Sequence, residues 1–106
     1  MKTTALTALA EPNRLRIVEL LNVTACSVGE IAEKLVLRQP QVSKHLKILS
    51  EAGWVAVRPE AQKRIYELKP ERFSELDGWL EAFRRLWEAR YDRLDALLDS
   101  QKGEES

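Results

Sequence analysis

The stretch Ser27–Trp54, SVGEIAEKLVLRQPQVSKHLKILSEAGW, leaves the chain little freedom in how it folds. Ser27 with Glu30 three residues later makes a capping box, in which the two side chains reciprocally satisfy orphan backbone donors, so a helix starts here. Ile31, Ala32 and Leu35 face inward, and Val36 and Leu37 lead into a turn. The next helix takes proline early, at Pro40, and stops at Gly53, a preferred residue just past a helix end. At about 100° per residue, Val42, Leu46 and Leu49 fall on one buried arc. Pro40, Ser43, Lys44 and Lys47 fall opposite, Gln41 sits at the edge of that outer face, and His45 lies on the flank of the buried arc. Arg38 and Gln39 stand at the N-terminal end. A short helix, a tight turn and a second helix with a polar, partly basic outer face is the helix-turn-helix arrangement, which lays its second helix in a DNA major groove.

A net charge of zero argues against a nucleic-acid partner until the charge is divided along the chain. Residues 34–69 hold eight basic side chains (Lys34, Arg38, Lys44, Lys47, Arg58, Lys63, Arg64 and Lys69) against Glu51, Glu60 and Glu67. The remainder holds 9 basic and 14 acidic residues, so a basic segment sits inside a neutral chain, as a phosphate-binding surface requires. The 106 residues suit one domain with a modest core. No apolar run approaches the roughly 20 residues of a membrane span, and MKTTALTALAEPNR does not read as a signal peptide. The single cysteine, Cys26, fits a reducing cytoplasm and permits no internal disulfide.

The flanking sequence supplies elements that support this motif. Thr3–Ala10 forms a short helix, and Pro12 opens a second whose stripe of Leu15, Val18 and Leu21, widened by Ile17 and Leu20, ends near Asn22. Asn22–Ala25 is a connector. After Gly53 the pattern alternates over 54–58, turns through Pro59-Glu60-Ala61-Gln62 and alternates again over 63–68. This is a β-hairpin with Arg58, Lys63 and Arg64 around its tip. From Pro70, apolar residues recur three and four apart through Leu98, which predicts one long helix, bent near Asp77-Gly78, with a polar tail QKGEES that frays. Its stripe carries Trp79, Phe83, Trp87, Tyr91 and Leu94, more than a core of this size can cover. A second copy is the expected partner, with Leu6 and Leu9 of the first helix joining the interface. The expected organisation is a single winged helix-turn-helix domain over 1–106: helix-turn-helix 27–53, wing 54–68, dimerisation helices 3–10 and 70–99.

The stretches ALAEPNRLRIVELL and SVGEIAEKLVLRQPQVSKHLKILSEAGWV, with a basic hairpin ending IYEL, resemble the ArsR/SmtB winged-helix repressors over about residues 5–98. The resemblance implies a mainly α fold with a small β-hairpin, in the order α-α-α-α-β-β-α, homodimeric through its first and last helices. It also implies operator binding relieved by an effector. It carries DNA contact to Gln39, Pro40, Gln41, Ser43 and Lys44, with Arg58, Lys63 and Arg64 from the wing. Arg38 and Lys47 join them by position on the helix. Pro40 departs from the small polar residue often found there. The family's metal-sensing motifs are missing: TACSVGE offers Cys26 alone where two close cysteines are wanted, and the last helix has no histidine where Asp and His pairs are wanted. No metal or other cofactor is therefore expected.

Cys26 lies near a helix N-terminus, which lowers a thiol pKa and would suit a redox sensor, although a lone cysteine is more often buried filler. His45 could titrate or meet phosphate, or be held by its neighbours. Trp79, Phe83 and Trp87 could line an effector pocket, but a dimer core explains them without one. Catalysis would need a nucleophile with its base, a carboxylate pair in a cleft or a phosphate loop, and the sequence offers none, so no enzyme is expected. The alternative to a DNA-binding regulator is a winged-helix module for protein–protein interaction.

Overall fold

A computed structural model describes residues 1–105, with side chains through Asp99. The element order is α1 (Thr3–Leu9), α2 (Pro12–Val23), β1 (Cys26–Ser27), α3 (Val28–Leu35), α4 (Gln39–Glu51), β2 (Val55–Glu60), β3 (Lys63–Leu68) and α5 (Pro70–Glu105). The chain forms two compact units, Met1–Ser74 and Glu75–Ser106. The mainly helical fold with a hairpin wing follows the sequence expectation.

In the first unit, α1, α2, α3 and α4 pack around Ile17, Ile31, Val42, Leu46, Leu49 and Trp54, all of which are buried. Glu11 caps α2 by accepting the Arg14 amide at 2.8 Å, and Pro12 occupies the first turn, where its missing N–H costs nothing. Leu15, expected in the buried stripe, is 43% exposed, because the buried face of α2 is centred on Ile17, Val18 and Leu21. Helix α4 ends in a Schellman motif, with Gly53 N–H donating to Ser50 O and Trp54 N–H to Leu49 O. Gly53 has φ +84°, the left-handed region that glycine enters without strain, and the Arg72 guanidinium end packs over the space a Cβ would take.

Trp54 joins the pieces. Its indole N–H donates to the Ala5 carbonyl at 2.7 Å, its own carbonyl accepts from the Lys69 amide at 2.9 Å, and its ring meets Phe73 edge-on at 4.9 Å. One fully buried side chain thus ties α1, the end of α4, the start of the wing and the first turn of α5 together.

The sheet has three strands in the order β1-β3-β2, one more than the sequence suggested. Cys26 and Ser27 pair with Tyr66 and Ile65, so the residues just before the capping box act as a two-residue strand too short to show any periodicity. The hairpin turn is also tighter than expected. Pro59 and Glu60 belong to β2, opposite Arg64 and Lys63, and only Ala61-Gln62 turn the chain. Proline is tolerated there because β2 is an edge strand whose outer N–H groups need no partner.

Helix α5 runs unbroken through Gly78, as the long helix expected from the three-and-four spacing. Trp79 and Phe83 stack edge-on at 4.9 Å, and Arg90 lies over the Trp87 ring at 5.0 Å. Arg84 pairs with Asp77 and Glu81, and Arg85 with Glu81, on the other side of the helix. The helix bounds take in most of the QKGEES tail expected to fray, but Ser106 and the tail's side chains lie outside the described residues.

Replacing Trp54 with Phe removes the donor to Ala5 and leaves a gap between α1 and the wing. The substitution is expected to cost about 1–3 kcal/mol in urea unfolding; an unchanged midpoint would show that α1 is held by other contacts.

Candidate nucleic-acid interface

The geometry of the recognition surface begins one helix earlier. Both halves of the Ser27–Glu30 capping box are present: the Ser27 hydroxyl accepts from the Glu30 amide at 3.2 Å, and the Glu30 carboxylate accepts from the Ser27 amide at 3.1 Å. At its other end, α3 stops on Val36, which adopts the left-handed conformation (φ 56°, ψ 51°) while its side chain is 88% exposed. The Leu37 amide then returns to Ala32 O at 3.0 Å, and the Arg16 guanidinium of α2 donates to Leu35 O at 3.0 Å. A β-branched residue pays strain in that region, where glycine would not, so the turn angle between α3 and α4 is held against a local cost.

The turn delivers α4 with Arg38 as its N-cap residue, making no side-chain cap bond, and Pro40 in the first turn. Arg38, Gln39, Pro40, Gln41, Ser43, Lys44 and Lys47 are all exposed, while Val42, Leu46 and Leu49 are buried beneath them. Arg38, Pro40, Gln41 and Lys44 line an open depression on this outer face. Gln39 leans back toward α3, its amide nitrogen 3.6 Å from where a Cβ on Gly29 would stand. Among the described residues, Arg38, Lys44 and Lys47 form no ion pair, so their charges face solvent.

The three wing cations are not equivalent. Arg58 donates from Nη1 to Glu60 at 2.9 Å and from Nε to Glu67 at 3.1 Å, and these carboxylates raise its pKa above the ordinary value. Lys63 lies close enough to Glu30 to help lower that carboxyl's pKa. Arg64 forms no ion pair among the described residues. Glu67 closes on Arg58 from the neighbouring strand, nine residues along the chain, a pairing that no local sequence signal announces.

Two other candidates follow the plainer of their sequence readings, buried filler for Cys26 and a flank residue held by its neighbours for His45. Cys26 is fully buried, and desolvation raises its thiol pKa, with Glu30 adding to this and Lys34 opposing it. That is the reverse of the depressed thiol a redox sensor uses: strand β1 sinks the side chain into the core, where its Sγ–H donates weakly to Thr24 O at 3.5 Å. His45 is held on the flank of α4 with Nδ1 3.7 Å from the Glu11 carboxylate, buried and without a hydrogen bond. Burial alone would raise the Glu11 pKa, but the amides of Arg14 and Asn13 and the charges of His45 and Arg14 outweigh it and lower it. Among the described residues, no three His, Cys, Asp or Glu side chains converge as a metal site would need, and no helix is long and apolar enough to cross a membrane.

Residues 11–57 match the family model described as bacterial regulatory protein, arsR family. An HTH-type transcriptional regulator of Mycobacterium tuberculosis is 37% identical over 94 residues, covering 89% of this chain and 85% of that one. The chain belongs to the arsR family. A biofilm growth-associated repressor of Agrobacterium fabrum is 41% identical over 71 residues, 67% of this chain and 61% of that repressor. The solution structure of a homodimeric winged helix-turn-helix DNA-binding domain from Mycobacterium bovis, a possible ArsR-family regulator, superposes with a TM-score of 0.65 at 26% identity, covering 76% of this chain and 74% of that one. This ArsR-family protein is a DNA-binding transcriptional regulator, and the exposed face of α4 is its candidate reading surface.

The capping box also sets a pH dependence. Hydrogen bonds from the Ser27 amide and hydroxyl lower the Glu30 pKa against the opposing effect of desolvation, and Lys63 and Lys34 add to the lowering. A carboxyl whose folded pKa lies below its unfolded value stabilises the fold above the ordinary value near 4.5, and that contribution is lost as pH falls through the folded value. Glu30→Gln keeps an acceptor but not the titration. Its stability should fall less than the parent's between about pH 6 and pH 3 in denaturant titrations; parallel curves would mean the box carries no charge linkage.

Proposed function

We infer that this ArsR-family regulator is a repressor that acts in the cytoplasm as a homodimer, laying two copies of α4 into successive major grooves of a roughly palindromic operator. The observation that carries this reading is the outer face of α4, where Arg38, Lys44 and Lys47, without ion pairs among the described residues, are exposed together with Gln39, Gln41 and Ser43, and Arg38, Pro40, Gln41 and Lys44 line an open depression. Glutamine suits the paired donor and acceptor of adenine, lysine suits the acceptors of guanine, and serine serves either. Pro40 brings no donor of its own and shapes the helix start. Lys63 and Arg64 reach for the flanking phosphate backbone. The protein acts by occupying DNA and not by catalysis.

The second copy is argued from α5. Trp79, Leu80, Phe83, Leu86, Trp87, Tyr91 and Leu94 are exposed along one stripe of the helix, with Trp87 at 49% and Tyr91 at 61%. A lone helix of this length gains little stability from propensity, so its apolar stripe needs a partner. A two-fold pair with Leu6 and Leu9 contributing supplies one, and it places the recognition helices about 34 Å apart. The homodimeric relative supports the same arrangement.

Two measurements test these statements. Duplexes selected from a random pool should share a two-fold symmetric half-site, and their affinity should fall steeply with salt as counterions are released. Lys44→Ala is expected to weaken binding at least tenfold, about 1–3 kcal/mol for a base-edge contact; flat, undetectable binding at low salt would leave the winged helix as a protein-interaction module. Trp87→Glu should sediment as a monomer, and a dimer that persists would move the interface away from this stripe.

A further inference from the structure

The wing holds a charge arrangement that the recognition surface does not use. In the β2–β3 register, Arg58 stands opposite Ile65, Glu60 opposite Lys63 and Ala56 opposite Glu67, so all six side chains share one face of the hairpin. Arg64, opposite Pro59, is on the other face. The two carboxylates take Arg58 by different nitrogens, Glu60 by Nη1 at 2.9 Å and Glu67 by Nε at 3.1 Å. Single exposed pairs contribute little, but two directed, charge-assisted bonds fix both the guanidinium and its orientation. Two of the three guanidinium nitrogens are thus committed to carboxylates, which fixes where the third can point. A phosphate that drew Arg58 away would leave Glu60 and Glu67 uncompensated beside the polyanion. On this face Arg58 meets two carboxylates and Lys63 lies near a third, Glu30, so the basic side chains do not outnumber the acidic ones despite the basic segment to which the hairpin belongs.

We propose that Arg58 is a latch inside the wing and not a phosphate contact, and that Glu60 and Glu67 limit the wing's sequence-independent grip on DNA. Arg64 then supplies the wing's main charge to the backbone, and affinity rests more heavily on α4. This rests on the reading above that the wing meets DNA.

The test is the salt dependence of binding to a selected duplex and to a shuffled duplex of the same composition, for the parent, Arg58→Ala, Glu60→Gln/Glu67→Gln and Arg64→Ala. For a latch, Arg58→Ala leaves the slope of log affinity against log salt unchanged. The double glutamine variant frees Arg58 for a phosphate and steepens the slope by about 0.9, so its loss of affinity from about 50 to 200 mM salt exceeds the parent's by about threefold. Arg64→Ala flattens the slope by the same amount. The proposal is overturned if Arg58→Ala flattens the slope and the double variant leaves it alone, since Arg58 would then already be on a phosphate. If no wing variant moves the slope, the wing is off the DNA: the proposal falls with the wing part of the surface, while the Lys44 result still judges α4. Should Arg58→Ala loosen the hairpin, the double glutamine variant, which alters only exposed carboxylates, decides alone.

Discussion

The hydrogen bond from the Trp54 indole to the Ala5 carbonyl spans 49 residues of sequence, and much of the first unit depends on it. It fixes α1 against the point where α4 ends and the wing begins. The bond is strong because its surroundings are dry: Trp54 is fully buried, and Ala5 and Ala8 present the small surface that lets the indole approach. Gly53 turns the chain out of α4 so that Trp54 points inward, and Lys69 and Phe73 then close over it. The orientation of the wing and that of α4 are therefore set at one residue pair, Gly53-Trp54.

The candidate DNA surface divides the labour of binding unevenly. The outer face of α4 keeps its cations unpaired, and the wing neutralises one of its own. Base edges are read by contacts that carry sequence information, whereas phosphate contacts position without discriminating. A wing of damped charge fits the proposed reading, in which α4 carries the sequence information. The sharp turn that presents that helix is held from behind by Arg16 on the Leu35 carbonyl, so α4 is braced by α2 as well as by the core.

Much of this was legible in the sequence, because the governing interactions are local. The capping box, the early proline and the glycine stop each act within four residues, and they placed α3 and α4 correctly. The three-and-four spacing of α5 and the alternation of the hairpin were equally readable. What escaped were pairings between distant segments. Strand β1 exists because Tyr66 and Ile65 offer an edge to Cys26 and Ser27, and nothing in those two residues announces it. Burial in that strand also decides between the two readings of Cys26 in favour of filler, since desolvation there outweighs whatever a nearby helix end provides. Arg58 looked free for DNA because Glu67 approaches it only across the hairpin. The left-handed Val36 carries no turn signal of the usual kind, being neither glycine nor asparagine.

The placement of the aromatic residues has a further consequence. Trp54 is sealed in the first unit, while Trp79 and Trp87 stand on the open stripe of the second. The intrinsic fluorescence of this chain is therefore two signals in one spectrum, a blue-shifted emitter that reports whether the reading unit is folded and two solvent-sensitive emitters that report whether the long helix is covered. Folding and association can be followed separately without any added label.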